Sequence, residues 1–291
     1  MGVRSMLVPP AEPPSPAPFL PRWDGHVHTG FAPHGWPPPS TAFLDRALEL
    51  GFERVTFAEH APLPPHVPDP TPLQDNNLAA DRLEPYLRHA AELRERYHDR
   101  IEVRVGLEVD LLPGGDDHLR AMLDRHVSIL DEIVCSIHLL PDGAGGWGSV
   151  DLSPESFADL ARRLGSVAAL RRLYFETLAE QLERNVCAPL PRRVGHLLLP
   201  DKFRTLHPQE APEEAALVAR VVDVAAAKGY GLDLNSAGLR QPHCGAFYLR
   251  GAPLAQALRL RVPVVFGSDA HCPDDVGSGW AEAGTEIGRA S

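Results

Sequence analysis

Two histidines one residue apart, His26 and His28 in Asp24-Gly25-His26-Val27-His28, close the first apolar segment of the chain. On a β-strand, residues i and i+2 point to one face, so both imidazoles can reach one ion. Near the far end, Asp269 and His271 repeat that spacing in Gly267-Ser268-Asp269-Ala270-His271, directly after the apolar run VPVVF. The small residues Gly267, Ser268 and Ala270 let the backbone approach a crowded centre. Between these ends stand His60 in FAEHAP, Glu108 in VGLEVD, His138 in CSIHLL and His196 in VGHLLL. Each follows or interrupts an apolar run. A carboxylate such as Glu108 at the mouth of an apolar strand is costly unless it meets a cation. Asp110 points the same way one step further out and is read as a supporting residue, and His34 lies in a Pro-Gly loop able to fold back over the same face.

Taken singly, each has an ordinary reading: HxH pairs are common, and a lone histidine in an apolar strand is usually a satisfied core residue. The set is harder to dismiss. His26, His28, His34, His60, Glu108, His138, His196, Asp269 and His271 make nine candidate ligands, whereas one tetrahedral zinc takes about four and a catalytic zinc about three from the protein. Nine suit two or three ions sharing bridging carboxylates. Mixed imidazole and carboxylate donors favour Zn, Mn or Fe over Ca or Mg. Ions roughly 3.5–4 Å apart activate water and clamp both oxygens of an in-line displacement, which is phosphoester chemistry.

A phosphorylated substrate also needs donors from the chain. Lysine is rare, with only Lys202 and Lys228 present. Lys202, in LLLPDKF, and Arg240, in DLNSAGLRQP, fall after strands on the expected active face, and the arginine fork matches phosphate geometry. Asn235 and Ser236 add neutral donors, and His243 in QPHCG is placed to line the pocket. His89, His98, His118 and His126 lack ligand spacing and are assigned to the surface.

The elements that must position these groups follow from periodicity. Strands are predicted at Asp24–His28, Arg54–Phe57, Ile101–Val109, Glu132–Ile137, Arg193–Leu199, Gly231–Leu234 and Val262–Phe266. Helical patterns at Thr41–Leu50, Leu78–Tyr97, Asp117–His126, Pro154–Arg184, Glu213–Lys228 and Pro253–Leu260 separate them. Such alternation predicts a parallel α/β sheet, a closed barrel or else an open doubly wound sheet, in one domain over residues 23–291. In a barrel the C-terminal strand ends converge on one face, and here those ends carry the candidate ligands.

Composition bounds the rest. The net charge of −11 argues against nucleic acid as a partner, and no apolar run reaches the ~18 residues of a membrane span. Residues 1–22, with prolines from Pro9 to Pro21, read as a loosely ordered tail without the apolar core of a secretion signal. The chain is therefore expected in the cytoplasm, where four cysteines without CxxC spacing stay reduced.

In order, DGHVHTGFAPHG, FAEHAP, VGLEVD, CSIHLL, VGHLLL, DLNSAGLR and GSDAHCPDDVG resemble the polymerase and histidinol phosphatase (PHP) family, across Asp24 to Gly277. The resemblance implies a distorted (β/α)7 TIM-like barrel and a trinuclear site whose ligands match the nine residues above. Within the family, VGLEVDLLPG, GGWGSVDLSPESF and NSAGLRQP are similar to histidinol-phosphate phosphatases of histidine biosynthesis. That implies a metal-bound hydroxide attacking L-histidinol phosphate, Arg240 holding the phosphate, and Asp269 or the cluster histidine His271 assisting the leaving alcohol. Leu198 stands where such relatives usually carry Asp, and Asp233 where they usually carry Glu. The alternative within the family is an esterase for another small phosphate ester, such as a nucleotide or sugar phosphate, or for phosphotyrosine. An amidohydrolase also begins with HxH, but neither lysine stands at a strand end suited to bridging metals.

Overall fold

The structure, a computed structural model, describes residues 20–31, 39–208 and 212–290. The proline-rich tail predicted over residues 1–22 lies outside the described residues as far as residue 19, and so does His34.

Strand β1 (Trp23–Val27) is followed by α1 (Thr41–Glu49) and β2 (Arg54–His60). Helix α2 (Leu83–Tyr97) leads to β3 (Glu102–Asp110), and α3 (Asp116–His126) to β4 (Glu132–Ser136). A hairpin of β5 (Leu139–Pro141) and β6 (Trp147–Ser149) precedes α4 (Pro154–Arg163) and α5 (Val167–Arg184). Then come β7 (Arg192–Val194), α6 (Pro212–Lys228), β8 (Gly231–Asn235), α7 (Ala237–Arg240), α8 (Gly251–Arg259), β9 (Val264–Gly267) and α9 (Trp280–Ala290).

Strands β1, β2, β3, β4, β7, β8 and β9 form one parallel sheet in that order. Beyond β9 the chain pairs with β1: Asp269 N donates to His26 O at 2.7 Å, and His28 N to Ala270 O at 2.9 Å. These bonds close the sheet into a barrel. The buried Asp24 carboxylate braces the seam, accepting from Ser268 N and Gly277 N, each at 2.9 Å. Burial lifts its pKa to about 6 against those hydrogen bonds.

Strand alternation sorts two kinds of residue. Val103, Val105 and Leu107 of β3 belong to the apolar core beneath the helices, with Phe57, Ile133, Leu232 and Leu234 from neighbouring strands. The other face is polar. Thr56 of β2 donates to Glu132 of β4, and Arg193 of β7 donates to the Gly25 carbonyl of β1. Neither strand pair is adjacent in the sheet, so both bonds cross the barrel's interior. Usual α/β barrels fill that space with branched apolar side chains.

Four expectations change. The strand predicted over Arg193–Leu199 stops at Val194 and gives way to a 3₁₀ turn at Leu199–Phe203. Leu198 N is taken by Tyr248 O at 2.8 Å, and Pro200 has no N–H to continue a ladder. Leu197, Leu198 and Leu199 are buried outside any strand. The block Pro154–Arg184 is two helices, because Gly165 takes φ +101 and Ser166 caps α5 through Ala169 N at 3.0 Å. Helix α2 starts at Leu83, after a short 3₁₀ turn. His126, assigned to the surface, is buried at the end of α3. Among the described residues no helix is long and apolar enough to cross a membrane.

Candidate metal centre

Eight of the nine predicted ligands meet at the C-terminal end of the barrel; the ninth, His34, lies outside the described residues. Glu108 of β3 sits at their middle. Its Oε1 is 2.9 Å from His196 Nε2. Its Oε2 is 3.1 Å from His60 Nδ1, 3.4 Å from His26 Nε2 and 3.5 Å from His28 Nε2. His138 Nε2 and His196 Nε2 lie 3.1 Å apart, and His26 Nε2 and His28 Nε2 lie 3.2 Å apart. Asp269 Oδ1 is 3.2 Å from His28 Nε2, and the His271 ring stacks on that of His28 at 4.0 Å. Three triads have ligand atoms mutually within 4.8 Å: His28, His60 and His271; His26, His28 and Glu108; His60, Glu108 and His138.

Backbone shape helps the crowding. An added Cβ at Gly267 would lie 2.8 Å from both carboxylate oxygens of Asp233 and from His26 Cβ. At Gly195 it would run into Ser136 Oγ. Asp269 takes the left-handed conformation, φ +54, which non-glycine residues adopt sparingly and Asp more readily than most.

Carboxylates behind the histidines aim the rings. His26 Nδ1 meets Asp233 Oδ2 at 2.7 Å, His28 Nδ1 meets Glu59 Oε1 at 3.3 Å, and His138 Nδ1 meets Asp110 Oδ1 at 3.1 Å. In all three the Nε2 atom is left facing the cluster, the arrangement that orients metal-binding imidazoles. Asp110 also accepts His138 N at 2.8 Å, and Glu59 Oε2 accepts Thr29 N at 3.0 Å. Asp110, read from the sequence as a supporting residue, stands behind His138 in this contact. Glu59 was not singled out for such a role; its only signal is a carboxylate beside His60 in a run that is otherwise apolar.

The electrostatics describe a site that demands positive charge. Burial alone would disfavour charged imidazoles, yet hydrogen bonds to Asp269 and Glu59 carry His28 up to about 9. The charges of Asp110 and Glu108 likewise carry His138, against its burial, up to about 10. Burial pushes Glu108 and Asp269 upward, but the histidines around them hold both well below the usual carboxylate range. Protons or bound cations can satisfy this demand, and cations displace protons from the same nitrogens.

An open cavity of about 570 Å³ lies over the cluster, in the range of small-molecule sites. His60, His138, His196, Asp269 and His271 line its floor, and Lys202 and Arg240 its walls. Lys202 Nζ is 3.1 Å from Asp151 Oδ2. Arg240 donates through Nη2 to the carbonyls of Ser268 and Asp269, at 3.0 and 3.1 Å, and its Nε is 3.3 Å from Asp275 Oδ1. Its Nη1 is buried and has no hydrogen-bond partner among the described residues.

The remaining predicted contacts are placed differently. Asn235 is buried beneath the cavity, donating to Asp233 and Asp269 at 3.3 and 3.2 Å. Ser236 donates to the Ser278 carbonyl at 2.5 Å. His243 lies off the cavity lining, 3.2 Å from Thr205 Oγ1. Asp75, Thr71 and Tyr248, which do line it, come from loops whose spacing carries no recognisable pattern, and Asp151 from the segment GGWGSVDLSPESF, where it was not singled out.

Residues 24–237 match the PHP domain, and residues 254–289 match the PHP-associated family. Histidinol-phosphatase from Bacillus subtilis is 36% identical over 87% of this chain and 95% of its own length. A Deinococcus radiodurans protein assigned the same activity is 31% identical over 91% of this chain and 92% of its own. A crystal structure of a Listeria monocytogenes protein assigned as a histidinol phosphatase superposes with a TM-score of 0.84 at 29% identity, over 89% of this chain and 99% of that one. The histidinol phosphate phosphatase of Lactococcus lactis, solved with zinc, L-histidinol and phosphate, gives 0.69 at 19% identity over 94% of both chains. The barrel, the strand-end cluster and these matches agree, and the chain belongs to the PHP family.

Proposed function

We propose that this protein hydrolyses L-histidinol phosphate to L-histidinol and phosphate, using two or three divalent transition-metal ions, Zn, Mn or Fe. The observation that carries the reading is Glu108. Its carboxylate is buried, held ionised, and faces nitrogen atoms from four histidines within 3.5 Å, while its Oε2 accepts no hydrogen bond from the described residues. Such an oxygen needs a cation, and the donor set of imidazoles and carboxylates fits zinc, manganese or iron. His26, His28, His60, Glu108, His138, His196, Asp269 and His271 are the ligands on this reading, joined by His34. Bound ions supply Lewis acidity and activate water for attack at phosphorus.

The chain's own residues do the rest. Arg240 is fixed by two carbonyls and Asp275, and its partly exposed side chain stands on the cavity wall to meet a phosphate oxygen. Lys202, beside Asp151, adds a second positive charge on the cavity wall. Asp269, held ionised by His26 and His28, cannot donate a proton. His271, one-third exposed at the cavity floor, has likewise given up its proton when it ligates an ion, so the proton for the leaving oxygen comes from water in the open cavity. The cavity lining sets Asp75 beside the Lys202–Asp151 and Arg240–Asp275 pairs, a mixture of charges that suits a substrate with phosphate at one end and an ammonium and an imidazole at the other.

The relatives named as histidinol phosphatases support this substrate over others. The test is steady-state hydrolysis by metal-loaded protein of histidinol phosphate, nucleoside monophosphates, sugar phosphates and phosphotyrosine. Histidinol phosphate should give the highest kcat/KM. A higher value for any of the others overturns the substrate, and no turnover of any of them overturns the activity.

A further inference from the structure

The barrel's interior below the metal centre holds a buried ionic chain that the reaction itself does not require. Arg193, 2% exposed, reaches four strands. It stands on β7, donates to Glu132 of β4, to Asp233 of β8 at 3.2 Å and to the Gly25 carbonyl of β1. The Trp23 ring lies 5.5 Å from its guanidinium carbon. Glu132 in turn accepts Thr56, whose hydroxyl accepts the Trp23 indole N–H at 2.9 Å. The chain ends upward at His26, whose Nδ1 is 2.7 Å from the second oxygen of Asp233.

Buried ion networks are poor sources of stability, because desolvation offsets most of the Coulomb gain. This one has a geometric consequence instead. A planar fork anchored at Glu132 and Gly25 leaves its Nε on Asp233 Oδ1, which fixes the rotamer that presents Oδ2 to His26. Asp233 with Oδ2 on Nδ1 makes that nitrogen the protonated one, and Nε2 is left toward Glu108 and His28. Lysine cannot reproduce this, since one ammonium lacks the rigid fork that holds several acceptors at once.

We infer that Arg193 is a positioning residue for the metal centre, acting through Asp233 to orient His26. The inference rests on the proposed function only in taking His26 as a metal ligand. Its test is metal affinity, measured by competition with a chromophoric chelator, for the wild type, Arg193→Lys, Asp233→Asn and the double variant. Outer partners of metal-binding histidines typically contribute about 10- to 100-fold in metal affinity. Arg193→Lys should weaken one ion by that factor, with kcat recovering at saturating metal. In the Asp233→Asn background the same change should add less than ~3-fold, because its route is already cut.

Equal loss in both backgrounds, or no loss in either, overturns the inference. A wild type that binds no metal overturns the proposed function instead. Should Arg193→Lys fail to fold, Glu132→Gln removes the far anchor and leaves the arginine in place. It must then lower metal affinity in the wild-type background and not in Asp233→Asn; any other pattern overturns the inference.

Discussion

Replacing Glu108 with glutamine removes one negative charge from the middle of the cluster at nearly constant shape. The amide oxygen can still accept Ser136 Oγ, now at 2.6 Å, so β3 and β4 keep their packing. What disappears is the charge facing His60 at 3.1 Å, His26 at 3.4 Å, His28 at 3.5 Å and His196 at 2.9 Å. Breaking a buried charge pairing by removing one partner costs about 3–5 kcal/mol. At ~1.4 kcal/mol per factor of ten, that corresponds to roughly two to nearly four orders of magnitude in metal affinity. Metal retained after dialysis against chelator, measured by atomic emission, should fall below the wild-type complement. Turnover of histidinol phosphate should fall with it and recover only in part at high metal concentration. Circular dichroism should show the barrel intact. A Glu108→Gln protein with full metal content and wild-type kcat/KM refutes the central place given to this carboxylate.

Arg240→Met should leave metal content unchanged and lower kcat/KM by roughly 10- to 150-fold, the worth of a charge-assisted hydrogen bond of about 1.5–3 kcal/mol; an unchanged kcat/KM removes Arg240 from phosphate binding. Gly267→Ala puts a methyl group 2.8 Å from Asp233 and His26, so stability should fall by about 1–3 kcal/mol together with metal affinity, read by urea unfolding and chelator competition; full retention of both contradicts the close approach. The pH dependence has a definite sign. Without metal, His28 and His138 hold protons up to about 9 and about 10, above the ordinary imidazole value of about 6.5. Their contribution to stability is complete below pH ~6.5 and is lost as pH rises through those folded values. The melting temperature of chelated protein should therefore decline from pH 7 to 10, while metal-loaded protein, its protons already displaced, should show no such decline. A flat or rising curve for the chelated protein contradicts the assignment.

Much of the centre was legible because its ligands occupy the ends of elements that local patterning defines. His60 and Glu108 close β2 and β3, and their side-chain direction follows from alternation alone. His196 was legible for a partly mistaken reason. It was read inside a strand, but the ladder stops at Val194, and the apolar run behind it packs against other elements. Hydrophobicity reports burial; it does not report which backbone donors find a ladder partner. The hairpin β5–β6 escaped for the same reason, its strands being three residues each. Cavity residues such as Asp151 and Tyr248 are placed by loops that close over the barrel; Asp151 lies in the segment GGWGSVDLSPESF that carried the resemblance, but no spacing rule marks either residue as lining the cavity.

The carboxylates behind the ligands were the least legible part, and the reason bears on how the site works. Asp233 supports His26 from a strand 207 positions away, and Glu59 supports His28 from 31 positions away. Neither pairing has a spacing rule: Glu59 reaches His28 through the pairing of β1 with β2, and Asp233 reaches His26 only because the barrel closes between β9 and β1. The same closure is what places Asp269 and His271 beside His28. Ligand geometry and barrel integrity are thus one property: a barrel opened at the β1–β9 seam loses both its last two ligands and the brace at Asp24. On the proposed ligand set, metal binding and closure of that seam would favour one another, since His26 and His28 stand on one side of it and Asp269 on the other.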